Sequence, residues 1–169
     1  MKEIILTDGS VCKVDDDDFV FLSKWGWRPQ RHCHCTYAVR TRWGGEGNPP
    51  EIVSMHRVVA DAATGLDVDH INRNGLDNRR ENLRLCTRGQ NNANRGPWNK
   101  KKNSKYKGAH LHKMKNGGTF WAAAICKDYK QIHLGTFKTD RDAAIAYDKA
   151  AIELHGEFAY TNFPREDYF

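Results

Sequence analysis

The chain has no Cys-x-x-Cys pair and no long apolar run, and both absences exclude classes of protein. No apolar stretch approaches the roughly 20 residues that a membrane-spanning helix needs, so we expect no membrane partner. The five cysteines are odd in number and include no Cys-x-x-Cys pair, which argues against a disulfide framework and indicates free thiols. The apolar run from Ile4 to Leu6 is too short for a signal peptide. These absences predict a cytoplasmic protein.

Acidic residues are nearly absent from the middle of the chain. Between Arg88 and Lys138 there are 12 lysines and arginines but one acid, Asp128, which gives this stretch a net charge of +11. Since the whole chain has a net charge of +6, the net charge of the remaining residues is −5. A basic middle between acidic ends indicates a polyanionic partner. The alternative, a solvated surface, is less favoured because such surfaces usually mix both signs.

Residues 1 to about 55 alternate short β-like runs with turn signals. The run Asp15 to Asp18 precedes an apolar segment, and acids in a first turn complement the helix dipole, so we expect a short helix there. A Ca²⁺-binding loop is the weaker alternative, because no later ligands follow at the required spacing. The run His32 to Cys35 (His-Cys-His-Cys) invites a zinc interpretation. Strand alternation would put these ligands on opposite faces, however, and no second cysteine pair completes a tetrahedral set.

The C-terminal part of the chain predicts a sheet followed by a helix. Three β-like runs, Tyr106 to His112, Phe120 to Cys126 and Gln131 to Phe137, are separated by turn signals and predict a three-stranded antiparallel sheet. A helix then begins at a capping-box-like Thr139 and ends before Gly156. Its alanine-rich face would let it lie close on the sheet.

The segment Arg95 to Lys105 joins this part to the preceding one and contains five basic residues and no acid. Fully extended, it would reach about 36 Å, close to one turn of B-DNA. Both a flexible basic arm that follows a duplex and an ordinary polar linker fit this composition.

The segment Val68 to Arg95, VDHINRNGLDNRRENLRLCTRGQNNANR, holds the most informative polar residues. Asp69 supplies a carboxylate and Asn91 a side-chain carbonyl, which are oxygen ligands of the type that Mg²⁺ prefers. In a strand His70 would point away from its neighbour Asp69, so it suits a general base better than a ligand of the same ion. Asn82 is placed to bond backbone across the loop that carries His70. Each residue alone has an ordinary structural explanation, but the set favours metal-assisted hydrolysis beside a phosphate.

Asp69-His70, eleven residues, Asn82, eight residues and Asn91 together resemble the HNH nuclease motif of the ββα-metal fold. The surrounding phrase is most similar to the small homing endonucleases of bacteriophages, and Met55-His56-Arg57 and the N-terminal strands resemble the lead-in of that group. The resemblance implies that His70 is the general base, that Asp69 and Asn91 hold Mg²⁺ or Mn²⁺, and that Asn82 orients the base. It also implies hydrolysis that leaves a 5′-phosphate and a 3′-hydroxyl. His56 lies outside the minimal motif and is interpreted as structural or phosphate-contacting.

Residues 106–165 resemble the DNA-binding domain of plant ethylene-response (Apetala-type) factors, which also occurs appended to phage HNH nucleases. The matching phrases are Tyr106-Lys107-Gly108, Trp121-Ala122-Ala123, Leu134-Gly135-Thr136-Phe137, Ala143-Ala144, Ala146-Tyr147-Asp148, Ala150-Ala151 and Asn162-Phe163-Pro164. In the plant family the sheet lies in the major groove, and arginine and tryptophan side chains read the bases. The two resemblances together cover nearly the whole chain and imply double-stranded DNA as the partner.

Strand alternation assigns the two faces of this predicted sheet. The residues expected to face the helix are Trp121, Ala123, Ile125, Ile132 and Leu134. The residues expected to face outward are His110, His112, Ala122, Ala124, Cys126, Gln131 and His133. The outward face therefore carries His, Ala and Cys where the plant family has Arg, Glu and Trp, so we expect DNA binding with a different sequence code.

The predicted fold class is α+β, in three parts. An N-terminal β-rich HNH nuclease domain spans 1–94, with its ββα-metal core at about 52–94. A basic linker spans 95–105, and a three-stranded antiparallel sheet packed on one helix forms a DNA-binding domain at 106–165. DNA contacts are predicted for Arg84, Arg88, Arg95, Lys100, Lys101, Lys102, Lys105, Lys107, His110, His112, Lys113, Lys127, Lys130, Gln131 and His133.

The predicted function is that of a site-specific DNA endonuclease of the homing type, encoded by a phage and acting in the cytoplasm of a bacterial host. One active site per chain predicts a monomer that nicks one strand, whereas a double-strand break would need a dimer or two sequential events. One alternative is a DNA-binding regulator that carries an inactive HNH motif. Another is an RNA-directed nuclease or a general-purpose nicking enzyme, of which a duplex-type binding module disfavours the RNA-directed nuclease.

Overall fold

A computed structural model describes residues 1–32, 35–45, 47–97, 104–115 and 117–169 of the chain. These residues form two compact units, Met1–Arg88 and Gly89–Phe169. Both helices and strands are present, and the described strands form four small antiparallel sheets. None of the described helices is long and apolar enough to cross a membrane. The domain boundaries drawn at 94/95 and 105/106 and the specific ββα-metal arrangement stay predictions.

The first unit begins with a hairpin followed by a short helix. Strand β1 (Lys2–Ile5) pairs with β2 (Val11–Val14), and Gly9 in the turn has a φ of 83°, which glycine adopts because it has no Cβ. Helix α1 (Asp16–Leu22) carries three acids in its first turn, where they complement the helix dipole. The short helix expected after the acidic run is therefore confirmed.

A three-stranded antiparallel sheet and a second short helix complete the framework of this unit. Strand β4 (Thr36–Arg42) lies between β3 (Arg28–Arg31) and β5 (Glu51–Ser54). Helix α2 (Met55–Val59) begins directly after β5. The elements share one core, whose buried members are Ile4, Leu6, Cys12, Val14, Leu22, Trp27, Ala38, Met55 and Val59.

The segment that contains the HNH-like residues forms a second hairpin followed by a helix. Strand β6 (Asp67–His70) pairs antiparallel with β7 (Leu83–Cys86), and a short 3₁₀ helix (Arg80–Asn82) ends the loop between them. Helix α3 (Arg88–Asn94) follows. The elements thus occur in the order β, β, α. All of α3 after its first residue belongs to the second unit.

Backbone hydrogen bonds fasten the β6–β7 loop to the first hairpin of the same unit. Lys13 on β2 donates its N–H to the carbonyl of Leu76 and accepts from the N–H of Asn78, each at 2.8 Å. These bonds make an isolated bridge between Lys13 and Asp77. The loop therefore has a fixed path, and the side chains that it carries have fixed positions.

The second unit contains the predicted three strands and helix. Strand β9 (Thr119–Lys127) lies between β8 (Ala109–Lys113) and β10 (Lys130–Phe137), and helix α4 (Asp140–His155) follows. The hydroxyl of Thr139 accepts the N–H of Asp142 at 3.1 Å, as the capping-box pattern predicts. The antiparallel sheet and the helix after it are therefore confirmed.

Most side chains of this sheet lie on the face that strand alternation predicts, with two exceptions. Four residues expected to face the helix belong to the clusters that α4 covers: Trp121, Ala123, Ile125 and Leu134. Ile132 differs, because it lies near the hairpin end of an edge strand and stays 40% exposed. Ala122, expected on the outward face, is buried because it lies on the central strand between the larger residues His110 and Thr136.

A buried carboxylate fastens the C-terminal tail to α4. Asp148 is fully buried and accepts the N–H groups of Asn162 and Phe163 at 2.8 and 3.0 Å. It also accepts the side-chain amide of Asn162 at 2.8 Å and the hydroxyl of Tyr168 at 2.9 Å. These four hydrogen bonds satisfy the carboxylate oxygens, so Asp148 can be buried inside the unit.

The two ends of the predicted linker meet. The ammonium of Lys107 donates to the carbonyls of Ala93 and Arg95 at 2.7 and 2.6 Å, and it lies 3.4 Å from that of Asn92. Carbonyls at a helix C-terminus lack intrahelical partners and attract a cation, which explains this contact. Residues 98–103 of this segment lie outside the described residues, so both the basic arm and the ordinary polar linker stay predictions.

Candidate active site

The β6–β7 hairpin brings Asp69 and His70 to neighbouring positions on opposite faces of one strand. Asp69 lies opposite Arg84, and His70 lies opposite Leu83. Asp69 is 5% exposed and His70 is 4% exposed. Both polar side chains are therefore almost entirely withdrawn from solvent, and each needs protein partners.

An ion pair holds the carboxylate of Asp69. Arg84 donates to its Oδ2 from Nε at 2.9 Å and from a terminal nitrogen at 2.8 Å. Sequence reasoning assigned Arg84 to a DNA phosphate, but its guanidinium here serves Asp69. The cause is geometric, because the register of the hairpin places the two side chains directly across from each other.

His70 is surrounded by rings and by one amide. Its ring centroid lies 5.2 Å from that of His56 and 5.8 Å from that of Tyr37. Its Nε2 lies 3.1 Å from Oδ1 of Asn78. Burial lowers the pKa of His70 below its ordinary value, and the bond to Asn78 opposes this change. A buried imidazole with a lowered pKa is neutral near pH 7, which is the form that accepts a proton.

Asn82 closes the loop that follows His70. Its side-chain amide donates to the carbonyl of Asp77 at 2.8 Å and to Oδ1 of Asn72 at 3.0 Å, and its Oδ1 accepts the N–H of Asn72 at 3.0 Å. Its carbonyl accepts the N–H of Ile71 at 2.9 Å. These bonds cross the loop as the sequence predicts. The catalytic role of Asn82 stays a prediction.

Asn78 is the residue of this site that sequence reasoning missed. It is fully buried, and its amide nitrogen lies within hydrogen-bonding distance of the sulfur of Cys12. The sequence offers one weak signal, since Asn78 lies in the specific phrase LDNRRENLR, where polar residues are dense. Its partner lies 66 residues earlier, and no local pattern relates the two.

Asn91, the second predicted metal ligand, lies on α3 in the second unit. Its helix is held within that unit at its C-terminal end, where Lys107 binds the carbonyls and the N–H of Tyr160 donates to Ala93 at 3.3 Å. Lys107 was predicted to contact DNA, but its ammonium is engaged by the chain itself.

The other predicted DNA contacts occupy varied positions. Arg88 is exposed and pairs with Asp67 at 3.2 Å, and His112 stacks on Phe120 with ring centroids 5.3 Å apart. His110 is half-buried. His112 and the remaining described members are exposed, the latter being Arg95, Lys105, Lys113, Lys127, Lys130, Gln131 and His133. Lys100, Lys101 and Lys102 lie outside the described residues.

Asp69, one of the two predicted metal ligands, is suited to a hard divalent cation. Asp69 offers carboxylate oxygen in a buried setting, and the fork of Arg84 fixes its orientation in the way that outer partners fix metal ligands. A zinc site finds no support in the described chain, where no group of three or more His, Cys, Asp or Glu side chains is arranged to hold a metal. Two members of the His-Cys-His-Cys run, Cys33 and His34, lie outside the described residues.

Comparison with known proteins supports this interpretation of the segment. Residues 53–93 match the family model of HNH endonucleases, which is less than half of the chain. An uncharacterized HNH endonuclease of Acanthamoeba polyphaga mimivirus is 36% identical over 95 residues, covering 56% of this chain and 46% of that protein.

The comparisons also find plant proteins that match another part of the chain. An ethylene-responsive transcription factor of Arabidopsis thaliana is 45% identical over 67 residues, covering 38% of this chain. The APETALA2-like protein 2 of Oryza sativa is 42% identical over 65 residues. The chain covers 15% and 14% of the lengths of these two proteins.

Proposed function

We propose that the protein is a metal-dependent, site-specific DNA endonuclease of the homing type. The observation that carries the proposal is His70, a buried histidine with a lowered pKa beside Asp69, inside the segment that matches HNH endonucleases. The plant relatives are named as transcription factors, which supports duplex DNA as the substrate.

In the proposed mechanism His70 takes a proton from the attacking water. The water oxygen forms a bond to phosphorus while the bond from phosphorus to the 3′ oxygen breaks. The 3′ oxygen then receives a proton from solvent, so the products are a 5′-phosphate and a 3′-hydroxyl. The buried surroundings keep His70 neutral before the reaction, which is what a general base requires.

Asp69 and Asn91 are the proposed ligands of Mg²⁺ or Mn²⁺. The cation, when bound, would offset the charge that develops on the phosphate and on the leaving oxygen. Arg84 keeps the carboxylate of Asp69 in one orientation through two hydrogen bonds. Asn82 fixes the loop behind His70, so that the base and the carboxylate stay at opposite faces of β6.

The β8–β10 sheet is proposed to position the protein on duplex DNA. Lys127 and Lys130, at the β9–β10 turn, are exposed and suited to phosphate oxygens. Replacing both with glutamine should weaken binding and lower the salt dependence by about 0.9 per lost contact. The control is Lys149→Gln on the exposed side of α4, which should change neither quantity. Fluorescence anisotropy with labelled duplex DNA at several salt concentrations measures both.

Nicking of supercoiled plasmid tests the nuclease proposal. We expect open circles in the presence of Mg²⁺ or Mn²⁺, none with EDTA, and none with His70→Ala. The control variant is His32→Ala, because His32 is an exposed ring in the same unit. Linear product that forms without open circles would indicate a dimer. If the wild-type protein binds DNA and cuts none with either cation, the protein is a binding regulator and the proposal is wrong.

A further inference from the structure

We propose that Asn78 is the residue that positions His70, an inference that rests on the proposed nuclease function. The HNH-like pattern draws attention to Asn82, but Asn82 bonds to the loop and not to the imidazole. Asn78 contacts the imidazole itself, with its Oδ1 3.1 Å from Nε2 of His70.

A buried chain of polar atoms fixes the orientation of the Asn78 amide. The thiol of Cys12 donates to the thioether sulfur of Met55 at 3.4 Å. A thioether has no hydrogen to donate, so the direction of this bond is determined. The sulfur of Cys12 then accepts from the amide nitrogen of Asn78 at 2.8 Å. Asn78, Cys12 and Met55 are all fully buried, so water does not compete for these bonds.

The orientation of the amide determines which ring nitrogen of His70 carries the proton. Since the nitrogen of Asn78 faces Cys12, its oxygen faces the imidazole. A carboxamide oxygen only accepts hydrogen bonds, so Nε2 of His70 is the protonated nitrogen. Nδ1 then bears the lone pair and is the nitrogen that takes a proton from water. Asn78 thereby selects the tautomer of the base as well as the orientation of its ring.

The backbone of Asn78 is held as firmly as its side chain. Its N–H donates to the carbonyl of Lys13 on β2, at 2.8 Å, one residue after Cys12. The same strand therefore places both the backbone of Asn78 and the sulfur that orients its amide. The first hairpin, which contributes no residue to the HNH-like motif, thus takes part in positioning His70.

The test is the tautomer of His70 in the full-length protein, measured by nitrogen-15 NMR of the histidine rings without DNA or metal. The wild-type protein should be protonated on Nε2. Asn78→Leu keeps the branching and the number of side-chain heavy atoms and removes the acceptor, so the single tautomer should be lost. In plasmid nicking, kcat should fall by about tenfold to a hundredfold with little change in KM, because outer partners of a site act on the reacting group. Asn48→Leu, on an exposed loop of the same unit, is the control for the substitution itself.

Cys12→Ala provides a second arm if Asn78→Leu does not fold. It removes the nearer of the two sulfurs that face the amide nitrogen, since Met55 lies at 3.6 Å, and it leaves His70 and Asn78 in place, so the tautomer should again become mixed. A wild-type ring protonated on Nδ1, or an unchanged tautomer and kcat in both variants, would overturn the inference. The NMR arm needs no cleavage. A protein with the expected tautomer that cuts no DNA would therefore refute the nuclease proposal alone and still support the positioning of the ring.

Discussion

His56 should make the first unit lose stability as the pH falls below neutrality. The ring lies between Tyr37 and His70, with centroid distances of 5.1 and 5.2 Å. Among the described residues, Nδ1 of His56 is buried without a hydrogen-bond partner. Burial, followed by the nearby charges of His70 and Arg57, lowers the pKa of His56 from 6.5 to about 3. The ring of His56 is therefore neutral near pH 7.

The difference between the folded and unfolded pKa values gives the size of the effect. Below pH 6.5 the unfolded chain binds a proton at His56 that the folded chain does not bind until about pH 3. Stability is therefore fully present above pH 6.5 and is lost as the pH falls. Each pH unit is worth about 1.4 kcal/mol, so the loss is ~2 kcal/mol between pH 7 and 5 and approaches ~5 kcal/mol near pH 3.

Oxidation of Met55 by hydrogen peroxide in increasing urea measures the free energy of unfolding of this unit. The chain has three methionines, and Met55 is fully buried while Met1 and Met114 are 61% and 45% exposed. The comparison variant is His56→Phe, which keeps an aromatic ring against Tyr37 and has no titrating nitrogen. We expect the wild-type protein to lose ~2 kcal/mol more than this variant between pH 7 and 5.

His32→Phe is the matched control, because His32 is exposed in the same unit and its replacement should leave the pH dependence unchanged. Any pH dependence that persists in His56→Phe is assigned to His70, whose pKa is also lowered by burial. Parallel loss of stability in the wild-type and His56→Phe proteins would show that His56 is not a buried neutral ring and would refute this reasoning.

Three further predictions concern side chains with defined partners. Asp148→Leu leaves the donors of Asn162, Phe163 and Tyr168 without their acceptor. The free energy of unfolding of the second unit should therefore fall by about 3 kcal/mol or more, as measured by hydrogen exchange of α4. A fall below about 1 kcal/mol would contradict this prediction. Arg84→Met should slow nicking by about tenfold or more because Asp69 loses its orienting partner. Arg42→Met, which breaks an exposed pair with Glu51 in the same unit, is the comparison, and equal rates in the two variants would argue against this role for Arg84. Burial raises the pKa of the Cys12 and Cys86 thiols to about 11, so a thiol reagent at pH 8 should label exposed Cys126 quickly and these two only after unfolding. Rapid labelling of Cys12 in the folded protein would contradict the buried network.

Local patterns predicted most of the regular structure. The acids before α1, the turn signals between β8, β9 and β10, and the Thr139 cap of α4 each act over a few residues, so a single sequence shows them. Gly156, with a φ of 55°, likewise ends α4 where the pattern places the stop. The placement of Asp69 and His70 on opposite faces of one strand was predictable for the same reason, because strand alternation depends only on neighbouring residues.

The features that the sequence did not predict depend on contacts between distant residues. Asn78 contacts Cys12, which lies 66 residues earlier, and Lys107 binds carbonyls 12 and 14 residues earlier in the chain. Arg84 and Lys107 also have protein partners that a count of charges does not reveal, and their predicted DNA contacts stay predictions. Ala122 is buried by its larger neighbours on both flanking strands, which alternation along one strand does not reveal.

The contact between Lys107 and the end of α3 determines where the chain can be divided for experiments. A shortened protein that starts at residue 106 would keep Lys107 and lose the carbonyls of Ala93 and Arg95 that receive its ammonium. It would also lose the acceptor of the Tyr160 N–H. The second unit should therefore be separated by a cut in front of α3 and not after it. A cut at the basic segment, where composition places the natural boundary, would leave the ammonium of Lys107 its ring contacts with Tyr147 and Tyr160 but remove its carbonyl acceptors.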